Sequence, residues 1–120
     1  MPLVSIIVPN FNHEKYLKDR LNSILNQTFQ DFEIILMDDR SLDGSVDVLN
    51  NYSKNNKVSH LIVNDVNSGS PFGMWEKGFE LAKGKFIWIA ESDDWANENL
   101  LFELVSAIQK DEEIVVAHCN

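Results

Sequence analysis

Five short apolar runs, each separated from the next by a stretch long enough for a helix, set the tightest limit on what this chain can fold into. They are LVSIIV (Leu3 to Val8), FEIILM (Phe32 to Met37), VSHLIV (Val58 to Val63), KFIWIA (Lys85 to Ala90) and EIVVAH (Glu113 to His118). Each has strand length, and most are rich in β-branched residues. Between the first two, Tyr16, Leu17, Leu21, Ile24 and Leu25 recur at helical spacing, with Glu14, Lys15, Lys18, Asp19 and Arg20 largely on the opposite face. Asp43 is placed to cap a second helix carrying Val46, Val48, Leu49 and Tyr52, whose Asn-rich end should fray early. Ser70 before Pro71 signals a third helix, with Phe72, Trp75, Phe79 and Ala82 on one side, Gly78 as a liability and Gly84 ending the turn before the next strand. Leu100, Leu101, Leu104, Val105 and Ile108 form the clearest helical stripe, with Asn97 as its cap.

The order β-α-β-α-β-α-β-α-β, with nearly continuous apolar strands, predicts an α/β fold: a doubly wound, mostly parallel sheet covered on both faces. With 120 residues, 44% of them hydrophobic, the chain can build one sizeable core and one domain. It holds no repeat, low-complexity segment or linker. Because the fifth run stops two residues before Asn120, residues 1–120 are expected to be one half of a longer protein.

Charge narrows the partners. Ten Lys and Arg face 19 Asp and Glu, a formal charge of -9, which argues against a nucleic-acid backbone as ligand. The single cysteine, Cys119, excludes an internal disulfide framework and a Cys-rich zinc site, and reads as a small core residue. The first apolar run is too short for a signal peptide, and no run approaches a membrane span. The cytoplasm is the expected compartment, with any attachment to the inner face of a membrane left to parts outside this chain.

In an open α/β sheet ligands bind beyond the carboxyl ends of the strands. Those ends lead into PNFNH (Pro9 to His13), DDRSLDGS (Asp38 to Ser45), NDVNSGS (Asn64 to Ser70) and ESDDW (Glu91 to Trp95). Two carry adjacent carboxylates, which raise one another's pKa unless a cation or hydrogen-bond donors offset them. Oxygen ligands without His or Cys suit Mg²⁺ or Mn²⁺ bridging a carboxylate to substrate phosphates. Capping explains Asp43 more readily than ligand contact does. It does not easily explain three acids at Glu91, Asp93 and Asp94, of which Asp93 is the leading candidate. Asp38 and Asp39 stand where a ribose or base is recognised in such sheets, and ligand contact is favoured over a turn role. Trp75, Phe79, Phe86 and Trp88 read as core, and His13, His60 and His118 have no metal-site spacing.

These residues, in order, carry a resemblance. VSIIVPNFNHEKYLKDRLNSILNQTFQDFEIILMDDRSLDGS is similar to the opening of family 2 glycosyltransferases: a V-S-I-I-x-P-x-[YF]-N strand and loop, a helix ending S-x-x-x-Q-T, and a strand ending D-D-G-S-x-D-G-S. NSGSPFGMWEKGFELAKGKFIWIAESDDW resembles the family's N-x-G segment, its A-x-G-x-[YF]-I strand and its D-x-D-D motif. The resemblance implies a Rossmann-like GT-A three-layer sandwich. It implies that Pro9, Phe11 and Glu14 line a nucleotide pocket and that Asp39, with Asp38, holds the base or ribose of a nucleotide-diphosphate sugar, a UDP-sugar being favoured. Asp93, with Glu91 in the first acidic position, would ligate Mg²⁺ or Mn²⁺, and Asp94 would lie close to the donor sugar or one layer behind the metal ligands. The metal neutralises the diphosphate leaving group. Members generally invert the anomeric centre, a carboxylate base taking the proton of a saccharide or lipid-linked acceptor. That base is expected beyond Asn120.

The chain departs from the family pattern at three points. Arg40 stands where Gly is usual after the Asp pair, and Glu91 where Asp is commoner. MWEKG (Met74 to Gly78) replaces A-R-N-x-G, which leaves Lys77 as the nearby cation for the diphosphate. Two rivals share the acidic strand ends. A phospho-receiver domain needs its acidic pair after strand one, where this chain has PNFNH, and a nucleotidyltransferase needs a glycine-rich basic loop there.

Overall fold

The computed structural model describes residues 2–64, 71–90, 98–110 and 116–119. Strand β1 (Val4–Asn10) takes the centre of the sheet because all seven of its residues are buried. Strand β2 (Phe32–Asp38) is equally buried beside it, and β3 (Val58–Val63), more exposed, forms one edge. Strand β4 (Phe86–Ala90) lies on the other side of β1, followed by β5 (Val116–Cys119). The order is β3-β2-β1-β4-β5 with every pair parallel. The alternation read from the sequence is the alternation observed: α1 (Glu14–Leu25), α2 (Ser45–Tyr52), α3 (Pro71–Leu81) and α4 (Leu100–Lys110) connect successive strands. The first two strands run further than the apolar runs suggest, to Asn10 and Asp38, because those polar residues pair with each other in register.

Side chains two apart along a strand share a face, and this divides the core. Val4, Ile6, Val8, Ile34, Leu36, Phe86 and Trp88 pack against Leu17, Leu21 and Ile24 of α1, Leu49 of α2, and Leu101 and Val105 of α4. On the opposite face, Ile7, Ile35 and Met37 meet Met74 of α3. Of the stripe expected for the third helix, Ala82 packs against this face and Trp75 is half-buried, but Phe79 departs from it. Phe79 is 39% exposed, while Met74 and Gly78 face the sheet. Gly78 is an asset here, since a Cβ at this position would sit 2.8 Å from Ile7 Cδ1.

Arg20 also departs from the sequence reading, which put it on the polar face. It is buried, with its guanidinium carbon 5.2 Å from the ring centroid of Trp88. A flat, weakly hydrated cation on an indole face is a stable buried arrangement, and it is the placing of β4 beside β1 that brings Trp88 within reach of α1.

The Q-T end of α1 is a joint. Gln27 Oε1 accepts the N–H of Leu101 at 2.8 Å and so satisfies a first-turn donor of α4, while its Nε2 donates to Ser23 O at 3.0 Å. Next to it the N–H of Thr28 donates to Glu98 O at 2.8 Å. The caps expected at Ser70 and Asn97 lie outside the described residues.

At the amino end of the sheet Glu33 gathers three elements. Ser5 Oγ donates to Oε2 at 2.6 Å, Ser59 Oγ to Oε1 at 2.7 Å and the Lys83 N–H to Oε2 at 2.8 Å. Burial pushes this carboxyl up, yet the three donors and the nearby charge of His60 outweigh it and hold it below its ordinary value. Gly84 completes the knot. Its N–H donates to Ser5 Oγ at 2.7 Å, and a Cβ there would lie 2.6 Å from Ser5 N.

Candidate functional site

The strand order reverses direction across β1 and β4, and in open α/β sheets ligands bind beyond the carboxyl ends of the strands at such a point. Asn10 and Asp38 end β1 and β2 as register partners, which puts their side chains on one face. Asn10 Nδ2 donates to Asp38 Oδ1 at 2.8 Å. Ser41 closes the turn on the same carboxylate: its hydroxyl donates to Oδ1 at 2.6 Å and its N–H to Oδ2 at 2.7 Å. Asp38 is fully buried, and its carboxylate is an internal brace of the β2–α2 loop.

The loop after β1 is tied to the loop after β2 by four more bonds. The Asn12 N–H donates to Ser41 Oγ at 2.9 Å, and the Leu42 N–H to Asn12 Oδ1 at 2.7 Å. The Glu14 N–H donates to Asp43 Oδ2 at 3.1 Å, and the Gly44 N–H to Glu14 Oε1 at 2.9 Å. Asp43 Oδ1 also accepts the N–H of Ser45, the first residue of α2, at 2.9 Å; the N-cap itself is Gly44, so Asp43 satisfies a helix donor from one residue before the cap position expected for it. Burial opposes its ionisation, and the donors of Ser45 and Glu14 outweigh that and hold its carboxyl below the usual value. Asn12 and Arg40 adopt left-handed backbone, with φ of 54° and 59°.

Asp39 is held differently. Its N–H donates to Asn10 O at 2.9 Å, and its Oδ1 accepts Asn64 Nδ2 at 2.8 Å. Although only 5% exposed, it stands one residue past β2, at the carboxyl end of the sheet. The structure thus joins Asp38 and Asp39 to the segment from the end of β1 to the start of α1 that holds Pro9, Phe11 and Glu14. Pro9 is buried in β1, Phe11 is exposed on the loop, Glu14 spends a carboxylate oxygen on Gly44, and Lys77 is exposed on α3. Glu91, Asp93 and Asp94 lie outside the described residues. Among the described residues no group of three His, Cys, Asp or Glu side chains is placed to hold a metal ion. Asn10 and Asn64 went unread in the sequence, whereas Ser41 belongs to the SLDGS stretch whose Asp and Ser read as turn and cap formers.

The model of glycosyl transferase family 2 matches residues 5–119. The chain belongs to this family. Among family 2 relatives, an uncharacterized glycosyltransferase of Haemophilus influenzae is 39% identical over 121 residues, covering 100% of this chain and 47% of that protein. A poly(ribitol-phosphate) beta-glucosyltransferase of Bacillus spizizenii is 38% identical over 100 residues, 82% of this chain and 16% of the relative. Residues 1–349 of Staphylococcus aureus TarS in complex with UDP superpose with a TM-score of 0.81 at 31% identity, covering 93% of this chain and 33% of that one. The same TarS segment has also been solved with UDP-GlcNAc. This family 2 chain therefore spans half or less of these relatives. Its GT-A sandwich is as expected, and neither the receiver nor the nucleotidyltransferase reading gains support. No helix among the described residues is long and apolar enough to cross a membrane.

Proposed function

We propose that this chain is the donor-binding part of an inverting glycosyltransferase. Its donor is a nucleotide-diphosphate sugar, with UDP-sugars favoured, and its acceptor a saccharide or lipid-linked saccharide in surface polysaccharide or glycoconjugate assembly. The observation that carries the reading is Asp39: a nearly buried carboxylate beyond a central strand, fixed by β1 through its backbone and by the residue after β3 through its side chain. Such a group suits the N–H or O–H donors of a base or ribose. UDP bound to TarS, a family member of the same fold, supports the nucleotide class.

In this reading Asp38 keeps the loop in shape, Phe11 offers an exposed ring to the base, and Glu14 braces the pocket wall through Gly44. Lys77 is the cation assigned to the diphosphate. Glu91 and Asp93 would hold Mg²⁺ or Mn²⁺, whose charge offsets that of the leaving diphosphate. Asp94 would stand close to the donor sugar or one layer behind the metal ligands. The acceptor oxygen bonds to the anomeric carbon as the bond to the diphosphate breaks, and the acceptor proton passes to a carboxylate base outside this chain.

Calorimetric titration with UDP, GDP and ADP, each with and without Mn²⁺, tests the proposal. Metal-dependent binding of one of them, abolished by Asp39→Asn, is the expected result. Binding of none would overturn it.

A further inference from the structure

We propose, on the basis of the donor-site reading above, that Asn64 is a positioning residue that aims the Asp39 carboxylate at the nucleotide, so that the edge strand β3 sets donor affinity. Val63, the last residue of β3, pairs with Asp38. The N–H of Asn64 then donates to Asp38 O at 2.8 Å, extending the ladder by one bond and fixing where the Asn64 side chain starts. From there its short amide reaches Asp39 Oδ1 at 2.8 Å. On the far side Asp39 is anchored by its own N–H on Asn10 O at 2.9 Å. The carboxylate is thus pinned from two neighbouring strands, its backbone from one and its oxygen from the other.

The chemistry of the partner matters. A carboxylate that recognises a base or ribose must stay ionised and must turn its lone pairs outward. A neutral amide donor does both: it favours the charged form and fixes the rotation of the carboxylate plane, without cancelling its charge as Lys or Arg would. An acid at position 64 would do the reverse. Two carboxylates at hydrogen-bond distance share one proton, so an Asp there becomes a donor only when protonated. If Asn64 merely completed the turn after β3, replacing it would change stability without changing the response to pH.

The test is calorimetric titration with UDP in the presence of Mn²⁺ for the wild type, N64A, N64D and D39N, at pH of about 5.5 and about 8. Each variant is referred to the wild type at the same pH, and thermal midpoints are recorded alongside. N64A is expected to bind UDP about tenfold more weakly at both values, the loss of one hydrogen bond to a charged group. N64D is expected to bind more weakly than N64A at the higher pH and to recover at the lower. Wild-type affinity in N64A and N64D at both values, with D39N defective, would overturn the role of Asn64 and leave the donor site standing. A loss in N64D that is the same at both values and follows its thermal midpoint would also overturn it. If D39N binds as the wild type does, or the wild type binds no UDP, the donor-site reading fails and this inference with it.

Discussion

Glu14 and Gly44 meet across the two loops of the site: the Gly44 N–H donates to Glu14 Oε1 at 2.9 Å, and a Cβ on Gly44 would run into the same carboxylate. The backbone of Gly44, at φ of -83°, is open to any residue, so the glycine is there for proximity. Gly44→Ala should push the Glu14 carboxylate aside and cost about 0.5–1.5 kcal/mol, the net worth of one such bond. Glu14→Ala should cost a similar amount, and the double variant little more than either, because both remove one interaction. Urea unfolding of the four proteins checks this. Additive losses would show that the two residues act separately.

Gln27 is the second joint. Its buried amide serves α1 through Ser23 O and α4 through the Leu101 N–H. Gln27→Leu keeps the volume and leaves the buried Leu101 N–H without its acceptor and Ser23 O without its donor, which should cost about 1–3 kcal/mol. Gln27→Glu keeps the acceptor for Leu101 but loses the donor to Ser23, and should recover part of the loss at neutral pH. Thermal unfolding of both variants is the measurement. Equal losses would mean that the bond to α4 contributes nothing.

Much of the fold was legible because it depends on local pattern. The runs ending in Val8, Met37 and Ala90 are apolar on both faces, which belongs to central parallel strands, and all three lie there. What stayed hidden depends on which element crosses which. Arg20 reads as polar until α1 is laid over Trp88, and Gly78 reads as a helix weakness until Ile7 is placed beneath it. At the site, adjacency made Asp38 and Asp39 look alike. Pairing separates them: Asp38 is in register with Asn10 and is consumed internally, whereas Asp39 lies one residue beyond the ladder. Glu33, far from the site in role, carries no sequence mark beyond one acid inside an apolar run, since its three donors come from β1, β3 and the turn before β4.

Glu33 gives the chain an acid sensitivity with a definite sign. Its folded-state carboxyl lies below the ordinary value of 4.5. Its ionised form therefore contributes stability in full above that value, and the contribution is lost as pH falls through the folded-state value. Glu33→Gln should be less stable than the wild type at neutral pH by about 1–3 kcal/mol, since the amide nitrogen cannot accept from Ser5 and Lys83 as the carboxylate does. The gap should narrow as the wild type is acidified below about pH 4. Urea midpoints across that range decide the matter, and a gap independent of pH would sink the assignment.

Arg40 occupies a left-handed position, with φ of 59°, in the turn that presents Asp39. For a residue with a Cβ this conformation costs about 1–2 kcal/mol, which glycine avoids. The glycine usual at this place in family 2 has its physical reason there. Arg40 has interactions of its own, so Arg40→Gly alone would mix loss of the side chain with relief of the backbone. Arg40→Ala removes the same side chain and keeps the strain. The Gly variant should therefore be more stable than the Ala variant by about 1 kcal/mol, after allowance for the greater freedom of glycine in the unfolded chain. Thermal and urea unfolding of the pair measure that difference directly. An Ala variant as stable as the Gly variant would mean that the turn relaxes out of the left-handed region once the guanidinium is gone, and that Arg40 itself holds the loop in the conformation that presents Asp39.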